Sequence, residues 1–231
     1  MKTSILVSGL LLVGFATPAA AEISVNVGAI GVMPNDDSGS LQVVEQLAGL
    51  PAGSSGVTVD DNTQLGITFD YKLNPNWSLE LIAATPFKHD IYGTGSLAGM
   101  KIGETKHLPP TLMAQYHFEL ASDRIDPFIG LGVNYTTFFE EQVSPALGAV
   151  LTDLAVIDAS DKVDFALSNS WGVAVQAGVN IALTENWGVH LMVSRMAIDT
   201  VADVRINGLT VESVTVDIDP TVAMLGIRYS F

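Results

Sequence analysis

The chain has no cysteine. That excludes disulfides, the usual staple of small exported domains, along with thiol nucleophiles and thiolate metal sites. Basic residues are scarce: 10 Lys and Arg stand against 25 Asp and Glu, so no positive field awaits a phosphate backbone and nucleic acid is excluded as a partner. Charge of either sign is thin, at 15% of residues, and the mean hydropathy of +0.38 is too apolar for an ordinary exported soluble domain. Yet past residue 21 no apolar run approaches the ~18 residues a spanning helix needs. An apolar chain without such a helix has one way left to satisfy its backbone in lipid, a closed β-barrel.

The first residues carry their own signal. Met1-Lys2 is followed by an apolar run from Ile5 to Ala16 and by the small residues Thr17-Pro18-Ala19-Ala20-Ala21. That order is a secretory signal peptide over 1–21, cut after Ala21, leaving 22–231 as one barrel domain.

Alternation of period 2 recurs eight times across that domain. The first segment runs from Ile23 to Ala29. Leu65, Ile67, Phe69, Tyr71 and Leu73 share one face of the second, and Trp77, Leu79, Leu81 and Ala83 one face of the third. The fourth and fifth are set by Leu112 to Phe118 and by Ile129 to Tyr135. The sixth runs from Trp171 to Leu183, the seventh from Trp187 to Val193, and the eighth closes the chain from Ala223 to Phe231. Short turns at 74–76, 121–124 and 184–186 alternate with long segments at about 33–60, 93–106 and 142–162 and a short one near Asn207. The pattern predicts an all-β fold, an eight-stranded antiparallel up-and-down transmembrane barrel with long extracellular loops. Ser40 to Leu47 in the first loop can form a helical turn or two.

Face chemistry decides which side meets what. One face is Leu, Ile, Val and Ala; the other carries Gly66, Gly130, Gly132, Gly172, Gly178 and Gly226 with Ser, Asn and Gln. A soluble barrel would show Lys and Glu outside, whereas a narrow membrane barrel needs small residues inside. The aliphatic face therefore meets lipid, and Tyr71, Trp77, Phe118, Trp187, Tyr229 and Phe231 form a periplasmic aromatic girdle.

Counting three residues inward from that girdle, roughly 10 Å along a strand, gathers polar groups in one layer. Asp70, Glu80, Asn180, His190 and Arg228 fall there, with Lys72 and His117 near it. They read as a polar plug whose charges pair in a low-dielectric interior. Farther out the same face turns apolar: Ile30, Val32, Ile82, Ala84, Met113, Met192, Met196, Val222 and Met224 point inward as an adaptable lumen. An eight-stranded interior can also be filled by such side chains alone. Pro86, Pro109 and Pro110, which cannot donate to a ladder, mark a candidate lateral exit into the bilayer.

Several stretches resemble one family. Thr85-Pro86-Phe87-Lys88-His89, Lys106-His107-Leu108-Pro109-Pro110-Thr111, Pro127-Phe128-Ile129-Gly130-Leu131-Gly132 and the final Gly-Ile-Arg-Tyr-Ser-Phe are similar to the OmpW family of small outer-membrane barrels. The resemblance implies a porin-like passive barrel of the Gram-negative envelope. Its apolar internal channel would carry small hydrophobic molecules, and its C-terminal strand would target it to the barrel-assembly machinery.

Chemistry beyond that is sparse. His89, His107, His117 and His190 lack metal-ligand spacing, no serine motif accompanies them, and Gly130-Leu-Gly sits on a strand; no catalytic residue, metal or cofactor is expected. His89 and His107 read as loop polarity. Asp36, Asp37, Asp60, Asp61, Glu140, Glu141, Asp158 and Asp161 read as a solvated surface that could meet lipopolysaccharide through divalent cations. The expected partners are lipid, lipopolysaccharide and small hydrophobic solutes, with a monomer favoured. A structural barrel whose loops bind a partner without transport is the alternative, and a lipid-modifying enzyme is a third reading.

Overall fold

A computed structural model describes residues 22–231 apart from 36, 154–156 and 159. The signal peptide expected over 1–21 and Asp36 lie outside the described residues. Eight staves form the wall. The first is β1 (Ile23–Met33), continued outward by the short β2 (Asp37–Ser38). After α1 (Gln42–Ala48), β3 (Ser55–Val59) runs into β4 (Asn62–Asn74). The third stave is β5 (Trp77–Ala84) with β6 (Phe87–Gly95), and the fourth is β7 (Lys101–Leu108) with β8 (Thr111–His117). The fifth is the single long β9 (Ile125–Val143). Past α2 (Pro145–Asp153) come β10 (Val163–Leu167) with β11 (Ser170–Ala182), β12 (Trp187–Met196) with β13 (Asp199–Ile206), and β14 (Leu209–Asp217) with β15 (Thr221–Ser230).

The membrane half closes completely. Antiparallel pairing runs β11-β12-β15-β1-β4-β5-β8-β9, and β9 returns to β11 from Ser170↔Thr136 to Ile181↔Ile125. The last stave meets the first from Ser24↔Ser230 to Met33↔Thr221. Closure leaves no open edge in lipid, where an unpaired backbone group is costly. The alternation is explained by the same geometry. Outward residues such as Leu131, Val173 and Leu225 are exposed, and inward residues such as Asn134, Ala174 and Met224 are buried. Girdle residues Tyr71, Trp77, Phe118, Trp187 and Phe231 are exposed and Tyr229 is half-buried, with T-shaped ring pairs at Trp187–Tyr229 and Tyr229–Phe231.

Beyond the lipid belt the barrel divides. The staves break at one level: at Pro34, Asp60-Asp61, Thr85-Pro86, Pro109-Pro110, Ser168-Asn169, Ala197-Ile198 and Ile218 to Pro220. Proline at four of these joints removes a ladder donor. Outward of the breaks stand two four-stranded sheets, β3-β6-β7-β9 and β10-β13-β14-β2. Val57 N donates to Ser38 Oγ at 2.8 Å where their edges meet. The outward face of β6 and β7 is charged here, with Lys88–Glu104 at 2.9 Å and Lys101–Asp90 at 2.9 Å, which sets this region outside the hydrocarbon.

The loops expected at 33–60 and 93–106 are therefore largely folded. The first holds β2, α1 and β3; most of the second is β6 and β7, leaving a turn at 96–100. Their alternation was hidden because the outward face is charged and the inward face mixes Val57, Val59, Phe87 and Ile91 with Gly93, Gly103, Thr105 and two histidines. Two of the expected solvated acids, at the surface as expected, also hold the chain. Asp60 Oδ1 accepts from Asp90 N at 2.6 Å, and Asp161 accepts from Asn207 Nδ2 at 2.8 Å, so both tie chain segments together.

Candidate functional site: a polar layer, a packed floor and an apolar chamber

Three layers stack along the inside. Nearest the periplasmic girdle lies a continuous polar network. Arg228 donates to Asp70 at 2.6 Å, and Asn26 donates to the same carboxylate at 2.7 Å and to Thr68 at 2.6 Å. Arg228 also reaches Asn180 Oδ1 at 3.5 Å, which lies 2.8 Å from His190 Nδ1. Asn180 Nδ2 donates to Asp126 at 3.1 Å, and Asp126 pairs with His117 Nδ1 at 2.9 Å. His117 Nε2 meets Ser78 Oγ at 2.7 Å, and Ser78 donates to Gln115 at 2.8 Å. Gln115 and Gln176 then donate to Glu80 Oε2 at 2.7 and 2.8 Å, and Glu80 Oε1 faces His190 Nε2 at 3.7 Å. Every charge in this layer has a partner, the condition for keeping it out of water.

All five residues counted inward from the girdle meet here, Asp70, Glu80, Asn180, His190 and Arg228, together with His117, which was placed near the layer. Lys72 stands apart at the mouth, 3.8 Å from Glu22. Counting missed Asn26, Thr68, Ser78, Gln115, Asp126 and Gln176, although the same parity places each of them on the inner face.

Above the network, side chains fill the barrel. Ile30, Val32, Ile82, Met113, Met192, Met196, Val222 and Met224 pack with Phe87 and Phe128 as one buried cluster, with Ala84 against it. The residual space, lined by Ile30, Val32, Ile82, Ala83, Ala84, Phe87, Pro109, Met196 and Val222, is about 10 Å³. The residues expected to line an open lumen are thus a floor, because their bulk exhausts the width of an eight-stranded interior. Gly178 makes the packing feasible: a Cβ there would collide with the Phe128 ring, which stacks on His190.

The cavity lies farther out, between the two outer sheets. It measures about 110 Å³. Ile91, Ile102, Phe138 and Val143 line one side, and Val163, Phe165, Val204, Val214 and Val216 the other. Its few polar lining residues are His89, Thr105, His107, Thr136 and Thr200. His89 and His107 are buried in this wall rather than in loops, as 2% and 6% exposure shows. Among the nine lumen residues named from sequence, Val32 alone reaches the cavity.

The prolines interrupt the wall beside the floor. Pairing of β5 with β8 stops at Ile82↔Thr111, and pairing of β6 with β7 begins at Phe87↔His107. Between these rungs 83–86 faces 108–110. Pro86 and Pro110 are exposed; Pro109 is buried, and its carbonyl accepts from Thr111 Oγ1 at 3.0 Å and Asn134 Nδ2 at 3.2 Å.

A closed eight-stranded barrel with an aliphatic belt, an aromatic girdle and a sealed lumen defines a small outer-membrane protein of the bacterial envelope. The OmpW family profile matches residues 19–231, and the chain belongs to that family. It is 37% identical to outer membrane protein W of Escherichia coli (strain K12), over 92% of this chain and 89% of that protein. It is also similar to the dibenzothiophene metabolism operon protein PahQ of Pseudomonas aeruginosa, at 27% identity over 94% of this chain and 93% of that one. Among solved structures, the crystal structure of OprG from Pseudomonas aeruginosa superposes with a TM-score of 0.77 at 36% identity, covering 92% of this chain and 96% of that chain. Outer membrane protein W and OprG are outer-membrane proteins, and the chain is a bacterial outer-membrane protein.

Proposed function

We propose that the barrel gives small hydrophobic molecules a passive route from the exterior into the outer membrane. The chamber of about 110 Å³ carries this reading, since it is apolar, lies outside the hydrocarbon belt and is bounded on both sides by folded sheet. A guest leaving water for it gains on the order of 25 cal/mol for each Å² of apolar surface covered. Onward passage to the periplasm would have to break the network joining Asp70, Glu80, His117, His190 and Arg228. An apolar guest offers no replacement for those hydrogen bonds, so the axial route is closed to it. Sideways escape past Pro86, Pro109 and Pro110, where the rungs are missing, delivers the guest to lipid. The operon named for the relative PahQ, one of dibenzothiophene metabolism, fits a hydrophobic cargo.

The test is entry of a hydrophobic fluorophore into proteoliposomes. Parent protein should accelerate entry several-fold over empty vesicles, and Ala202→Trp, which fills the chamber from β13, should remove the acceleration. Equal entry with and without protein would leave a structural barrel whose loops alone have a partner.

A further inference from the structure

Two histidines break the apolar lining of the chamber, and their geometry fixes their protons. His89 on β6 and His107 on β7 stack with ring centroids 4.9 Å apart, and their Nε2 atoms lie 2.9 Å from each other. His89 Nδ1 lies 2.6 Å from the backbone carbonyl oxygen of Asp60. A carbonyl can only accept, so His89 Nδ1 carries hydrogen. A neutral imidazole has a single N–H, which leaves His89 Nε2 as a lone pair. His107 Nε2 must donate to it, and His107 Nδ1 is left bare.

Both rings stay neutral at neutral pH. Burial holds His89 below the ordinary histidine range, and burial with the neighbouring His89 pushes His107 down to about 3. His107 Nδ1 is buried without a protein partner, and Phe87 and Phe138 flank the ring at 5.3 and 5.8 Å. The chamber's hydroxyls cannot serve it, because each proton is already committed. Thr105 donates to Lys106 O at 3.3 Å, Thr136 to Asn134 Oδ1 at 2.7 Å, and Thr200 to Ser168 O at 2.8 Å.

We propose that the chamber selects, among small apolar molecules, those bearing one hydrogen-bond donor, such as an alcohol, a phenol or an N–H heteroaromatic, and that His107 Nδ1 accepts that proton. The proposal rests on the chamber being a binding site and adds which guest it prefers. Nδ1 is covered in the structure, so the donor reaches it as the imidazole tilts toward the cavity. His89 and the Asp60 carbonyl act at a distance, as positioning groups that hold His107 in the accepting tautomer.

Two matched probes test this in protein embedded in lipid nanodiscs, 2-naphthol and 2-methoxynaphthalene, with affinities corrected for partition into empty discs. The methyl ether keeps the aromatic surface and the oxygen but loses the donor. The expected result is a preference of about 2- to 10-fold for 2-naphthol, the worth of one neutral hydrogen bond. His107→Phe should abolish that ratio, and ¹⁵N-histidine spectra should show 2-naphthol shifting His107 Nδ1. The ratio is the readout, since either substitution or guest size can alter absolute affinity. Equal binding of both probes by the parent overturns the donor preference and leaves the chamber reading standing. Binding of neither overturns both. A preference that survives in folded His107→Phe, judged by heat-modifiable gel mobility, also overturns the assignment to His107.

Discussion

Glu80 Oε1 and His190 Nε2 face each other at 3.7 Å in the fully buried heart of the polar layer, and neither atom has another partner. His190 Nδ1 is occupied by Asn180 Oδ1 at 2.8 Å, so Nε2 turns its free valence toward the carboxylate. Glu80→Gln should be tolerated within about 1 kcal/mol, because its amide oxygen stays under Gln115 and Gln176 while its N–H reaches His190. Glu80→Leu strands both glutamine amides and should cost about 3 kcal/mol or more. Urea unfolding in micelles, followed by tryptophan fluorescence, compares the two. Equal losses would show that only the volume of Glu80 matters.

Gly178 and Phe128 offer a test of the floor. Gly178→Ala places a methyl against the Phe128 ring and the Leu191 carbonyl and should destabilise by about 1–3 kcal/mol. Phe128→Leu in the same chain should recover part of that, with a coupling of at least about 0.5 kcal/mol in a double-mutant cycle. Strict additivity would place the strain at the carbonyl alone.

The break between the third and fourth staves can be closed. Replacing Pro109 and Pro110 together by alanine returns two N–H groups to a stretch that lacks rungs, and entry of a hydrophobic fluorophore into proteoliposomes should slow. Unchanged entry would move the exit elsewhere on the wall.

At the chain's last residue, Phe231 N donates to Ile23 O at 3.0 Å across the closing seam, and its ring packs edge-on to Tyr229. Phe231→Ala should lower the yield of heat-modifiable folded barrel, whereas Ala202→Trp should leave that yield intact. Equal yields of the parent and both variants would remove Phe231 from the assembly step.

Acid should weaken the outer half through the chamber histidines. Their folded values lie below the ordinary histidine value of 6.5, so below that pH the unfolded chain binds protons that the folded chain refuses. Stability from this source is complete above about pH 6.5 and falls as pH drops toward about 3. Hydrogen-exchange protection factors in β6 and β7, corrected for the intrinsic pH dependence of exchange, should fall between pH 6.5 and 5, a window chosen because the Glu104 ion pairs are lost only at lower pH. His107→Phe with His89→Phe should flatten the response.

The membrane half was legible because lipid outside and a narrow lumen inside impose opposite chemistries on alternate residues. Trp187, Val189, Leu191 and Val193 could hardly be read otherwise, and counting inward found Glu80, His190 and Arg228. The outer half obeys no such rule. Lys88, Asp90 and Glu104 face water while Gly93 and Gly103 face inward, so β6 and β7 resembled loop. The position of the cavity was also hidden. Whether Met192 and Met224 line a space or fill it depends on Phe87 and Phe128, which reach the axis from other staves. The histidine pair escaped notice because residues 89 and 107 become neighbours only through the Phe87↔His107 register.

The belt of joints has a consequence for how such a protein can be altered. Register and tilt are set below it, in closed ladders such as Ser24↔Ser230 to Met33↔Thr221 and Ser170↔Thr136 to Ile181↔Ile125. Above it, β9 is, among the described residues, the one stave carried through without interruption. An outer sheet lengthened, shortened or exchanged at the other joints leaves the shear of the barrel untouched. The molecule is in effect a fixed socket with an exchangeable head, and a new specificity can be grafted onto it without redesigning the part that has to fold in lipid.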